Sequence, residues 1–503
     1  MKIKYVILLI IMVCDVSATN YYVAPWGNDT WSGVSWDSAF VTLQHGADIV
    51  GPGDSVFVAD GDYVGFDLRT GGTETLPIVF TAYGNSVEIT VENNTTPDGI
   101  NVENADWVVI DGFKVHDITR AGIRIAVSEH CTVKDNVCEN NGRWGIFTGF
   151  ADYAVIEHNI CSYSNEEHGI YFSNSADHPT IRYNTSHHNN SCGIHMNGDE
   201  SMGGDGLITD AVVACNIIYE NGEAGGSGIN CDGVAQSFIY NNLLYMNHAS
   251  GISLYQIDAS AGSYNTKVYN NTIINASDAR WCLNINTDSY GDTVYNNILY
   301  NLHSWRGSIC IDASSIPDFW SDYNIVVNSL SDDGGNTSMT LSQWQTLGYD
   351  LHSMLSDPLD SVFVDWTASD YHLRTGSQAI DAGTDAVAAI VQYDLDGTVR
   401  PQGNGYDIGA YEFIEVGTEE TGEVRLYQYT LFSTGMYVDF SDLHDGDRIR
   451  IYDLTGSCVH KTNDLASDHH RWYIQDIGSG VYFYIIKSTN REAVVRGRIV
   501  IIK

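Results

Sequence analysis

Between residues 122 and 312 a short pattern keeps returning. A Gly-Ile pair opens an alternating apolar and polar segment at Gly122, Gly145, Gly169, Gly193, Gly228 and Gly251, and related segments start at Cys282 and Ser308. Successive spacings are 23, 24, 24, 35, 23, 31 and 26 residues. A second series, Asn136, Asn159, Asn184, Asn216, Asn242, Asn271 and Asn297, interleaves with the first, each asparagine preceding another apolar or small stretch. Alternation with period two predicts strands, the Asn, Gly and Ser clusters between them predict turns, and no helical period intervenes. Two strand signals per repeat describe the coils of a parallel β-helix, an all-β solenoid in which apolar positions stack over their neighbours and turn asparagines form a hydrogen-bonded ladder.

Stacking the Gly-Ile pairs gives each side chain a direction, because successive residues of a strand face opposite ways. Counting from each glycine, the first and third positions point inward. The first-position column is Ile123, Ile146, Ile170, Ile194, Ile229, Ile252, Leu283 and Ile309, which is wholly apolar. The second and fourth positions then point outward, giving the rows Tyr171, His195, Asn230, Ser253, Asn284 and Ser173, Asn197, Asp232, Tyr255, Asn286. Polar groups crowd the middle of this wall. Two coils are longer than the rest, through Gly198–Asp210 and Gln256–Tyr264, and both insertions border His195, Asp232 and Tyr255.

Composition narrows the picture. Of 503 residues 64 are acidic and 24 basic, a net charge of −40, which excludes a nucleic-acid binder that works by neutralising phosphates. With 48 glycines and only 8 prolines, a collagen-like or proline-rich disordered chain is excluded as well. Residues 1–18 read as a secretory signal: Lys2 and Lys4, an apolar run from Tyr5 to Cys14, and the small-residue exit Val16-Ser17-Ala18. That run is about half the roughly 20 residues a membrane span needs, and no later segment is long and apolar enough, so no transmembrane segment is expected in the mature chain. Beyond Cys14 the cysteines are scattered singly and read as buried thiols, with one Cys138–Cys161 bridge suggested by their matching places in successive repeats. Residues 414–424 read as an acidic linker. The charge then changes from a net −42 over residues 20–424 to +1 over 425–503, marking a second domain.

Three stretches of residues 19–413 resemble the right-handed parallel β-helix, or pectin-lyase-like, superfamily. They are YYVAPWGNDTWSG with SAFVTLQHGADIVGPGDSVFVADGDY, the coils themselves, and the closing DYHLRTGSQAIDAG with DLDGTVRPQGNGYDIGAYEF. The resemblance implies a short amphipathic helix at Thr42 to Val50 plugging the open end, where strand edges would otherwise be exposed. The tail, with RIRIYDLTGSCV and GSGVYFYIIKSTNREAVVRGRIVIIK, is similar to the small β-sandwich-like C-terminal sorting domain of the type IX secretion system of Bacteroidetes-like bacteria. It lacks the usual Pro-Asn-Pro start. This implies type IX machinery as a partner and a secreted or outer-surface location.

A wall of fixed donors and acceptors suits a polysaccharide, whose hydroxyls need polar partners and whose ring faces stack on aromatics. Tyr171, Asn197, Asn230, Asn284 and Asn286 would bind it, with Trp144, Trp281 and Arg280 at the strand edge. Three functions remain open. Hydrolysis needs two carboxyl groups about 5 Å apart for retention or roughly 6.5–9.5 Å for inversion, and Asp232 with Glu200, Asp199 or Asp258 is the candidate set. Elimination needs a base and a group to meet the uronate, for which His195 or Tyr255 with Asn197 or Asn230 are placed. Lyases similar to the N-terminal motif use a lysine base with calcium, yet Lys114, Lys134 and Lys267 fall outside the outward columns. The third is noncatalytic binding or a structural surface role. No cofactor is required, although the acidic stretch Asp199 to Asp205 offers oxygen ligands suited to calcium. His158, His168, His187, His188 and His195 lack zinc-site spacing and read as solvated turn residues, so no metal site is expected.

Overall fold

A computed structural model describes residues 18–414 throughout, and within 430–501 the strands and parts of their connections. The expected signal segment and linker lie almost wholly outside these residues. One compact unit contains the chain up to residue 395 together with 400–413; 396–399 and the chain from 414 onward make up the other.

The first unit is a parallel solenoid. Ten parallel strands, from Phe66–Leu68 to Ile309–Ile311, form one continuous sheet. The Gly-Ile register is kept across it: Ile123, Ile146, Ile170, Ile194, Ile229, Ile252, Leu283 and Ile309 are direct neighbours. All are buried, each isoleucine contributing roughly 1.5–3 kcal/mol by leaving water.

Each central coil has three strands, not the two read from the sequence. Val155–Glu157 and Ile160–Ser162 are separate strands, each paired to its own partners above and below. Only His158 and Asn159 lie between them. The chain bends there because the residue before each ladder asparagine is left-handed: Asp135, His158, Tyr183, Cys215, Asn241, Asn270, Asn296 and Tyr323 have φ from 51° to 59°. None is glycine, and His158, Tyr183, Cys215 and Tyr323 are not Asn or Asp either, so no uniform turn signal marks the corner, and at these four the left-handed backbone costs about 1–3 kcal/mol each.

The asparagine ladder holds those corners. Nδ2 of Asn136 donates to Oδ1 of Asn159, and the same bond repeats through Asn184, Asn216, Asn242, Asn271 and Asn297 to Asn324 at 2.9–3.0 Å. A shorter ladder joins Asn189, Asn221 and Asn247.

The helix at the N-terminal end spans Leu43–Ile49, capped by Thr42, whose hydroxyl accepts the His45 amide at 3.2 Å. Its Leu43 and Ala47 join Val23 and Val56 in the core. Cys138 and Cys161 are directly opposed in register and both are buried free thiols, so the bridge suggested as one possibility is not formed. In-register neighbours on parallel strands point the same way about one strand spacing apart, whereas a disulfide draws Cβ atoms to about 3.8 Å. Cys458 is exposed, unlike the other described cysteines.

In the second unit, Asp447–Tyr452, Gly480–Ser488 and Val494–Ile501 pair antiparallel around a core that includes Ile449, Ile451, Trp472 and Ile499.

Candidate functional site

The outer face of the ten-stranded sheet carries the polar rows in the expected order. His195 lies between Tyr171 and Asn230, Asn197 between Ser173 and Asp232, and Tyr255 beside Asp232. Asn284 neighbours Ser253, and Asn286 follows the end of its strand.

At the centre is a hydroxyl and amide relay. Ser227 Oγ lies 3.0 Å from Asn230 Oδ1 and 2.8 Å from both the Gly226 carbonyl and Ser253 Oγ, and Asn230 Nδ2 donates to the Tyr255 hydroxyl oxygen at 2.6 Å. Because that oxygen accepts here, the Tyr255 proton is directed elsewhere. Burial, reinforced by the Asp232 charge, holds the phenol well above its ordinary range, so it stays protonated at neutral pH. Tyr171 stacks on His195 with centroids 4.9 Å apart, and its hydroxyl accepts from Asn197 Nδ2 at 3.3 Å.

Asp232 has a different task from the one expected. Its carboxylate accepts the backbone N–H groups of Ile257 and Asp258 at 2.8 Å and of Ala259 at 3.4 Å. Burial raises its pKa against these bonds. Through these three amides Asp232 anchors the second loop. The two loops also clasp each other: Ser260 Oγ donates to the Asp205 carbonyl at 2.6 Å and the Glu200 amide to the Asp258 carbonyl at 2.9 Å. Replacing Asp232 by alanine removes the acceptor of three N–H groups, of which that of buried Ala259 costs about 1–3 kcal/mol. The expected outcome is a folded β-helix whose 256–264 loop is cut many times faster in limited proteolysis, read by mass spectrometry.

His195 is likewise recast. The Cys192 amide donates to His168 Nδ1 at 3.2 Å, so His168 carries its proton on Nε2 and donates to His195 Nδ1 at 3.0 Å. That assignment follows from the hydrogen-bond network. It leaves the His195 proton on Nε2, enclosed and without a partner, although part of the side chain reaches solvent. Burial, then the neighbouring His168, holds His195 well below the ordinary imidazole range, and burial followed by Arg143 brings His168 down to about 3. Both are neutral. Neither is a solvated turn residue, and His195 has no free lone pair with which to abstract a proton.

Glu200 and Asp258 are exposed on the loops, and the Asp258 carboxylate reaches Asn197 Nδ2 at 3.4 Å. The tryptophans offer no free ring face for a sugar. Trp144 is 8% exposed, lies under Arg143 and donates to Glu167, while Trp281 is 5% exposed and packs against Trp305. Trp144 opens its strand and Trp281 stands just before one, and both side chains are covered at the sheet edge. Arg120, Arg124 and Arg143 are paired with Asp98, Glu103 and Glu167. Among the described residues, exposed Arg280 and half-buried Arg306 have no carboxylate partner.

Among the described residues, Asp199, Glu200 and Asp205 do not form a group of converging ligands. Asp199 accepts the Ser201 hydroxyl, and Asp205 accepts the Leu207 amide at 3.0 Å. Among the described residues, the one group of three converging metal-type ligands is His168, Cys192 and His195. The sequence reading missed it, and missed Ser227. All of these except His195 stand one place before a Gly-Ile pair, in a column that would have shown them stacked.

Residues 78–208 match the family model described as periplasmic copper-binding protein (NosD), and residues 433–502 match the secretion system C-terminal sorting domain. Pectate lyase Pel9A superposes with a TM-score of 0.51 at 16% identity, covering 79% of this chain and 97% of that one. The main unit is a parallel β-helix that shares the fold of this pectate lyase. A rhamnogalacturonan lyase gives a TM-score of 0.45 at 14% identity over 69% of this chain and 91% of that one. An alginate lyase from Paenibacillus sp. gives 0.40 at 16% over 59% and 96%. No curated protein sequence matches the chain. The sorting domain marks this β-helix protein as secreted or held on the outer cell surface. No helix among the described residues is long and apolar enough to cross a membrane.

Proposed function

We propose that the β-helix binds a uronic-acid polysaccharide along the outer face of its ten-stranded sheet and cleaves it by β-elimination at Tyr255. The observation that carries this reading is the 2.6 Å bond from Asn230 to the Tyr255 hydroxyl, between two clasped loops. Elimination removes the proton at C5, breaks the C4–O4 bond, forms a C4–C5 double bond and returns a proton to the departing oxygen. Tyr255, kept protonated, supplies that last proton. The exposed Asp258 carboxylate at the groove rim takes the first, and the amides of Asn197 and Asn230 meet the uronate, whose charge would otherwise oppose loss of the C5 proton. Unpaired Arg280 and half-buried Arg306 add cationic contacts further along. Hydrolysis through Asp232 is disfavoured because three amides hold that carboxylate. The pectate lyase that shares the fold acts, by its name, on a polymer of this class.

The test is a panel of uronic-acid and neutral polysaccharides, following new reducing ends and the ultraviolet absorbance of the unsaturated product together. Both signals should rise in step on a uronate polymer and neither on a neutral one. Reducing ends without absorbance would mean hydrolysis, and binding with neither signal would leave a noncatalytic protein; each overturns the proposal.

A further inference from the structure

We propose that His168, Cys192 and His195 form a binding site for a metal ion that favours mixed thiolate and imidazole ligands, of which zinc is the natural probe. This stands independently of the elimination reading, since metal uptake is measured without substrate. Three observations carry it. The donor atoms of the three residues, drawn from successive coils, lie within 4.8 Å of one another. An ion held at about 2.0 Å by nitrogen and about 2.3 Å by sulfur brings its donors to roughly 3.3–3.8 Å, so modest side-chain rotations close the site. His195, the outermost of the three, faces His168 across a single shared proton, Nδ1 to Nε2 at 3.0 Å, so two ring nitrogens already converge where an ion would sit. Its side chain is also partly open to solvent, which gives an ion a way in.

The chemistry of the set is specific. One thiolate with two imidazoles is a soft-to-borderline donor set that excludes calcium and magnesium and leaves a fourth position open. Gly226 is shaped to this cluster: at φ 105° it passes so close that a Cβ there would stand 2.6 Å from Cys192 Sγ. On binding, the ion replaces the shared proton between the rings. That proton moves to His168 Nδ1, the Cys192 amide gives up its bond there, and the thiol proton leaves to solvent.

The experiment uses the purified full chain, stripped with a chelator and titrated with zinc, then with cobalt(II) as a spectroscopic reporter. One zinc per chain should survive gel filtration, and cobalt should give a thiolate-to-metal charge-transfer band with tetrahedral-type visible absorption. Cys192→Ser should abolish the charge-transfer band. His168→Gln should weaken zinc binding about tenfold to a hundredfold or more, with unchanged circular dichroism in both variants. The adjacent surface pair His187 and His188, whose Nδ1 atoms lie 2.9 Å apart, is the control. His187→Gln should leave uptake intact. Failure to retain zinc, retention undiminished by both Cys192→Ser and His168→Gln, or loss caused by His187→Gln would each overturn the proposal.

Discussion

Asn216→Ala should be among the most destabilising single substitutions in the β-helix, lowering its stability by about 4 kcal/mol or more, with a matching fall in thermal midpoint by circular dichroism. The side chain is fully buried and central to the ladder. Its Oδ1 accepts both the backbone amide and Nδ2 of Asn184 at 3.0 Å, while its Nδ2 donates to the Ile181 carbonyl and to Asn242 Oδ1 at 2.9 Å. Truncation removes four bonds where water does not reach: the Asn184 amide and the Ile181 carbonyl lose this partner outright, while Asn184 Nδ2 keeps Ile156 and Asn242 Oδ1 keeps the Asn216 amide, and each group left unpaired costs about 1–3 kcal/mol. It also removes what holds Cys215 in its left-handed corner at φ 56°. Domains have only about 5–15 kcal/mol to lose. Asn216→Asp is expected to be no milder, because a carboxylate keeps the acceptor, cannot donate onward and buries a charge. A loss below about 1 kcal/mol would mean that the ladder contributes far less than its unmade bonds imply.

Tyr255→Phe should lower kcat on the preferred polymer by about a hundredfold to ten-thousandfold, the usual contribution of a positioned proton carrier, while KM changes little. The ring remains to fill its place in the row, and only the hydroxyl is removed. Asn230 then loses the acceptor of its 2.6 Å bond, a local change beside the reacting centre. Steady-state kinetics on both readouts, with circular dichroism to show an intact fold, checks it. An unchanged kcat would remove Tyr255 from the chemistry. A rise in KM alone would make it a binding residue.

The stacking of the coils was legible in the sequence because glycine spacing and period-two alternation are properties of the chain itself. Ile123 through Ile309 and the asparagines from Asn136 to Asn297 lie where those periods put them. The third strand of each coil was hidden because its corner is made by residues such as His158 and Tyr183, which adopt a left-handed conformation without glycine. The site was harder to read. Alternation says that Asp232 points outward, but not that a loop turns back to place three amides on its carboxylate. Nor does it say that Trp144 and Trp281 are covered at the sheet edge. Cys192 escaped notice and His168 was read as a solvated turn residue because both precede the start of their strands, where alternation assigns no face.

The clasp between the loops has a consequence for energetics. Since Ser260, Asp205, Glu200, Asp258 and Asp232 already secure each other, a polymer settling beside them would meet a wall assembled in advance. The ordering entropy of association would then fall mostly on the sugar, and stiffer chains should be held more tightly than flexible ones of equal composition.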